Sequence, residues 1–158
     1  MVVMEIRKPA HWEKLLAIVV GLALGILIST SANANLDKAI KYAESGETRK
    51  AEIELYNISQ RAMSGNPKSM CEFGTMYNSK GMWIVQSEKD AVEWWLKSAE
   101  MGYAPCQFNI GAAYLIGSGV DKDLSQAKRW LQLAIDSTYE RYSRSAKVLY
   151  HAHELDNY

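Results

Sequence analysis

The sequence predicts an all-α protein. It is a right-handed α-solenoid of stacked antiparallel helical hairpins, about seven helices in all, following an N-terminal export segment. Three observations carry this. After residue 34, Val, Ile and Thr are sparse while Ala, Leu, Lys, Glu and Tyr are frequent, a composition that favours helices over strands. A segment then recurs at a spacing of 36–37 residues, a range in which repetition means stacked structural units. Each copy also carries two stretches with apolar residues at helical spacing, the second opened by a capping residue.

The chain has 158 residues, room for one modest domain, with 18 basic and 18 acidic residues. A zero net charge gives no basic field to draw the protein to nucleic acid. The first 34 residues differ from the rest. Arg7, Lys8 and Lys14 precede the uncharged run Leu15–Ile28, and "STSANA" follows with small residues at Ala32 and Ala34. This is the pattern of a secretory signal peptide cut after Ala34. The alternative is an uncleaved anchor, for which a 14-residue apolar core is short against the ~20 residues of a membrane span. Cleavage removes three basic and two acidic residues, leaving residues 35–158 with a net charge of −1. The expected location is the periplasm or cell exterior, and the only expected membrane contact is through the export segment.

Residues 35–66 read as a first hairpin broken at Gly46, with Ala51, Leu55, Ile58 and Ala62 on one face. Residues 67–138 hold the two copies. Gly65 pairs with Gly102, Gly74 with Gly111 and Tyr77 with Tyr114 at an offset of 37; Ala91 pairs with Ala127 and Trp94 with Trp130 at 36. The second helix of each unit has a cap, Ser87 with Asp90 and Asp123 with Gln126. Glycine inside a helix costs about 1 kcal/mol against alanine. Matching glycines at 74 and 111 therefore imply close approach of a partner helix, with Tyr77 or Tyr114 packed against Trp94 or Trp130 in the core. Residues 139–158 place Tyr142, Ala146 and Leu149 on one face and form a capping helix and tail.

The spaced positions G-x-x-x-[AS]-x-x-x-[LFI]-G-x-x-Y, a G-x-G-V-x-x-D loop and A-x-x-W resemble the Sel1-like repeat family, relatives of the tetratricopeptide repeats. The second unit fits throughout, with "GSGVDKD" as its loop; the first departs in that loop, where Trp83 takes the slot of Gly119 and Ile84 that of Val120. The resemblance implies a protein-binding solenoid. By analogy with tetratricopeptide repeats, the concave face would present Lys68, Thr75 and Asn78 in one unit and Phe108, Ala112 and Leu115 in the next. It also gives Cys106 a small, alanine-like place, held in the first unit by Ser69. A buried thiol suits that place. The alternative is a disulfide with Cys71, which lies on the facing helix and which an oxidising compartment would favour.

No catalytic constellation stands out. His151 and His153 are spaced i, i+2 and point to different faces of a helix, so no metal pair forms. No G-x-S-x-G elbow occurs. Carboxylates fall on amphipathic helices, where a solvated face is the default. Some cysteine-rich exported relatives have been linked to β-lactam binding or hydrolysis, but their paired cysteines in each repeat are missing here. The expectation is a non-enzymatic envelope module without cofactor or metal that binds a protein or peptide. It would act as an immunity protein against a secreted toxin or as a regulatory adaptor of an envelope complex. Met82 and Trp83, apolar residues in the departing loop, are the candidate interface anchors.

Overall fold

Three local devices set where the chain turns. Helix interiors are apolar on one side, polar caps open several helices, and glycines with positive φ close others. The computed structural model describes residues 34–79 and 86–157. The export segment up to residue 33 and the loop residues Met82, Trp83, Ile84 and Val85 lie outside the described residues. Within them the elements are α1 (Ala34–Glu44), α2 (Thr48–Met63), α3 (Pro67–Asn78), α4 (Glu88–Glu100), α5 (Ala104–Ile116), α6 (Leu124–Ile135) and α7 (Glu140–Ala152), then a 3₁₀ turn, Leu155–Asn157. There is no strand among the described residues, and no described helix is long and apolar enough to cross a membrane.

The caps act where the sequence placed them. Ser87 Oγ accepts the backbone N–H of Asp90 at 3.2 Å, and Asp123 Oδ1 that of Gln126 at 2.9 Å. Asn66 does the same for α3, accepting from the Ser69 N–H at 2.9 Å with Pro67 in the first helical position. Gly102, at φ +81°, reverses the chain between α4 and α5, a conformation that L side chains avoid.

Each helix packs on the next, so hairpins α1–α2, α3–α4 and α5–α6 stack in order, with α7 laid against both α5 and α6. The interior divides accordingly into three apolar clusters. The first gathers Leu55, Ile58, Phe73 and Met76; the second is centred on Val92, Trp95, Ile110 and Trp130; the third on Leu131, Ala134, Ala146 and Leu155. Each cluster joins neighbouring hairpins, the nearest-neighbour pattern of a repeat protein. Leu155, fully buried, closes the C-terminal end.

The two interior glycines are contact points between helices. A methyl group on Gly74 would lie 2.7 Å from Trp95 Cδ1 and 2.9 Å from the Ala91 carbonyl oxygen, and one on Gly111 would lie 2.8 Å from Leu131 Cγ. The side chain over the glycine is thus Trp95 in one unit and Leu131 in the other. This corrects the expected core role of Trp94. Trp95 is the core residue, burying an indole worth roughly 2–3 kcal/mol of transfer free energy. Trp94 is only half-buried: it turns toward the first cluster, edge-on to Phe73 with centroids 5.0 Å apart, and Lys97 covers its ring. Trp130, its repeat partner, is buried in the second cluster. In both units this aromatic reaches the cluster on the N-terminal side, so it ties one hairpin to the one before.

Cys71 on α3 and Cys106 on α5 are joined in a disulfide, with Cα atoms 5.7 Å apart and both side chains buried. The bond links the first helices of successive units. A spacing of 5.7 Å is inside the usual separation of packed helix axes, ~8–10 Å, because both cysteines sit on the facing sides of their helices.

Candidate functional site: a groove across three helix starts

The starts of α3, α5 and α7 come side by side along one edge of the stack. Between them lies a cleft of about 480 Å³, lined by Lys68, Tyr103, Tyr139, Glu140, Arg141 and Tyr142 with Asn66 and Pro67 at one end. The period explains the alignment. Tyr139 follows Tyr103 by 36 residues, so α7 begins where the first helix of a third unit would begin. Tyr103 and Tyr139 occupy the N-cap positions of α5 and α7, and neither side chain caps its helix. The start of α5 therefore carries the positive end of its dipole without an acidic side chain to offset it, while Glu140 in the first turn of α7 offsets the dipole there.

The groove is aromatic and mildly basic. Tyr103 and Tyr139 meet edge to face with centroids 5.8 Å apart; Tyr103 is buried and Tyr139 is 45% exposed. Burial pushes the Tyr103 phenol well above its ordinary range, so it stays protonated at any physiological pH. Phe108 packs on Tyr142 from below, again edge to face at 5.8 Å. Lys68 and Arg141 bring positive charge and Glu140 a negative one. An apolar floor, a projecting tyrosine and two cations suit an extended peptide or a protein edge that brings an aromatic and an acidic group.

Next to this groove, between the start of α1, the end of α2 and the first half of α3, sits a charged cluster that sequence reasoning assigned to solvent. Glu72 is fully buried. The Asn35 side-chain amide donates to its Oε2 at 3.5 Å, and the Asn35 backbone N–H faces the same carboxylate. Arg61 Nε donates to Ser69 Oγ at 3.3 Å. Yet Glu72 Oε1, Asp37 Oδ2 and an Arg61 Nη atom are buried without a hydrogen-bond partner. Burial raises the Glu72 carboxyl above its ordinary range, while Lys68, the two Asn35 hydrogen bonds and Arg61 draw it back; burial raises Asp37 too, against Lys68. Nothing in the local pattern "MCEFG" separates this glutamate from a surface one. Burial of a charge is decided by the neighbouring hairpin.

The residues expected on the concave face disperse. Lys68 lines the groove. Asn78, Phe108 and Ala112 are half-buried. Thr75 and Leu115 are core residues, which corrects their assignment as partner contacts. Thr75 Oγ1 accepts the Trp95 indole N–H at 3.3 Å and donates to the Cys71 carbonyl at 2.9 Å, because close packing at Gly74 turns that side of α3 onto α4. Leu115 is taken into the third cluster, which α7 covers. Sequence reasoning missed Tyr103, Tyr139 and Arg141 in turn. Continuing the period beyond Trp130 would have found the two tyrosines, since it pairs Tyr103 with Tyr139; Arg141 pairs with Pro105 and carries no such signal. Among the described residues, no group of three or more His, Cys, Asp or Glu is placed to hold a metal ion.

Comparisons with known proteins agree with this architecture. Residues 67–103 and 104–139 match the Sel1 repeat family. Over 99 residues the chain is 31% identical to the chitin synthase regulator SKT5 of Malassezia restricta, covering 61% of this chain and 7% of that protein. A Sel1 repeat protein from Oxalobacter formigenes superposes with a TM-score of 0.54 at 26% identity, over 70% of this chain and 43% of its own. A protective antigen of uropathogenic Escherichia coli strains, displaying the same fold, gives a TM-score of 0.55 at 20% identity, over 89% and 33%. The chain thus spans a small part of the curated relative and less than half of each solved structure. Sel1 repeats are protein-interaction repeats, and residues 67–139 of this chain are two of them, stacked in the fold that the solved Sel1 repeat protein shares.

Proposed function

We propose that this protein is an exported, non-enzymatic binding module of the cell envelope that docks a segment of a protein partner in the groove across the starts of α3, α5 and α7. The observation that carries this reading is the groove itself: Tyr139 stands 45% exposed over an aromatic floor, between uncapped helix starts and two cations. The buried Cys71–Cys106 disulfide supports export, since such bonds persist in oxidising compartments and are rare in reducing ones. The N-terminal pattern of basic residues, apolar run and A-x-A end supports it independently.

A module that binds without chemistry works by occupying a surface. In its simplest form it blocks its partner, which is the behaviour of an immunity protein against a toxin delivered to the periplasm. A second reading, a regulatory adaptor of an envelope complex, is favoured by one finding, the likeness to a chitin synthase regulator. The deciding experiment is affinity capture from envelope fractions with wild-type protein, Tyr139→Ala/Arg141→Glu and Trp83→Ala. A toxin among the captured proteins supports immunity, and a resident envelope complex supports the adaptor. Should the groove variant hold its partner as tightly as wild type, the groove is not the docking surface. Unaltered capture by Trp83→Ala removes that residue as an anchor.

A further inference from the structure

The buried Glu72 carboxylate has an unpartnered oxygen and looks onto the first residue of the expected mature chain. We infer that cleavage after Ala34 creates a ligand for this site: the new α-ammonium of Asn35 docks on the Glu72 carboxylate and closes the charged cluster between α1, α2 and α3. The inference rests on the export and cleavage proposed above.

The geometry is specific to this residue. Asn35 already presents its backbone N–H and its side-chain amide to Glu72, the latter at 3.5 Å from Oε2. Glu72 is fully buried and its Oε1 has no partner. In the uncut chain the Asn35 nitrogen is an amide with one hydrogen and no charge. Cleavage turns the same nitrogen into an ammonium with three donors and a full positive charge, enough to serve both carboxylate oxygens. Asn35 itself is only half-buried, so part of the ammonium keeps its water. The α1 dipole opposes a cation at its start, but with about half an elementary charge, whereas the carboxylate brings a whole one.

The neighbouring charges agree. Asp37, in the first turn of α1, also has a buried oxygen without a partner and adds to the attraction. Arg61 from α2 and Lys68 from α3 act on Glu72 as cations, yet no ion pair within 4.0 Å forms between either and Glu72 among the described residues. Tyr103 of α5 feels the Glu72 charge and remains a neutral phenol. A carboxylate with two distant cations and one near nitrogen is completed by charging that nitrogen.

The test uses the full chain, with its own N-terminal segment, exported by a Gram-negative host and recovered from the envelope. Mass spectrometry first reads the N-terminus. A chain starting at Asn35 meets the premise; a chain that keeps residues 1–34, or is cut elsewhere, overturns cleavage after Ala34 and this inference together, before any titration, and leaves the groove reading untouched. On the cut protein the α-amino pKa is then measured by NMR. The expected value is about 9 or higher, against the ordinary ~7.7–8.0, because an opposite charge in contact favours the ammonium. Glu72→Gln should return it to the ordinary range. If Glu72→Gln does not fold, a single Ser inserted between Ala34 and Asn35 moves the amine one residue, ~3.5 Å, from the carboxylate and should do the same. An ordinary pKa in the wild-type protein, or a raised one that survives both changes, overturns the docking while leaving export intact.

Discussion

Gly74→Ala is a sharp test of how the first Sel1 repeat is held together, because two effects of opposite sign meet at one atom. Alanine gains about 1 kcal/mol of helix propensity over glycine at an interior position such as this. Against that, the added methyl would lie 2.7 Å from Trp95 Cδ1, 2.9 Å from Trp95 Nε1 and 2.9 Å from the Ala91 carbonyl oxygen. The indole has no room to swing away, since it is 6% exposed, and moving it breaks the bond from its N–H to Thr75. The carbonyl belongs to the α4 backbone and can retreat only if the helix does. Overpacking of this kind costs about 1–3 kcal/mol, and the lost indole hydrogen bond about 1 more. After subtracting the propensity gain, the expected result is a loss of roughly 2 kcal/mol. Urea denaturation measures it as a lower midpoint at an unchanged slope. The same change in a Trp95→Ala background, which removes the indole that the methyl would meet, should cost less. If Gly74→Ala stabilises the protein, close packing at that point is not what holds glycine there.

Three further outcomes follow from the same structure. Reducing the Cys71–Cys106 bond, which closes a loop across a sequence separation of 35, should remove about 3–4 kcal/mol and lower the melting temperature; a non-reducing and reducing thermal scan decides this, and coincident curves would refute it. In a chain with residues retained ahead of Asn35, burial holds the Glu72 carboxyl above its ordinary range, so the folded state binds its proton more tightly than the unfolded state does. Stability contributed by that proton is complete below the unfolded value of ~4.3 and is lost as pH rises through the raised folded value. Glu72→Gln should flatten this decline in a pH series of unfolding midpoints, and a wild-type midpoint that instead climbs across the window would mean a well-paired carboxylate. In the groove, Tyr139→Ala should weaken partner binding by ~10-fold or more, with a small drop in the unfolding midpoint from the lost edge-to-face contact with Tyr103, about 1 kcal/mol; a stability loss with unchanged affinity would make it a packing residue.

What could be read from the sequence was what one unit decides for itself. The caps at Ser87 and Asp123 depend on a side chain and an N–H three residues on, and both formed. Gly74 and Gly111 announced close contact because each repeats the other at a costly position. Adjacent aromatics defeated the same reasoning: Trp94 and Trp95 differ by about 100° around the helix, and only the facing glycine tells which one goes inside. Thr75 looked like a surface hydroxyl until the indole needed an acceptor. Glu72 was illegible for a deeper reason, since its burial depends on α1 and α2, whose sequence is too diverged from the repeat to predict where their polar ends lie. The groove was legible in principle, through a period that runs one helix further than the residues that first reveal it.

The disulfide joins two of the three helices whose starts form that groove, and its place has a consequence for recognition. Cys71 and Cys106 pin α3 to α5, so the rise from the first rung of the groove to the second is fixed covalently. Solenoids ordinarily flex like springs, and a partner spanning several repeats must then freeze that motion on arrival. Here part of the freezing is done beforehand, when the bond forms. The cost of ordering the surface moves from binding to folding, which favours slow release of the partner. For the exported binding module proposed above, a surface set in advance is the gain.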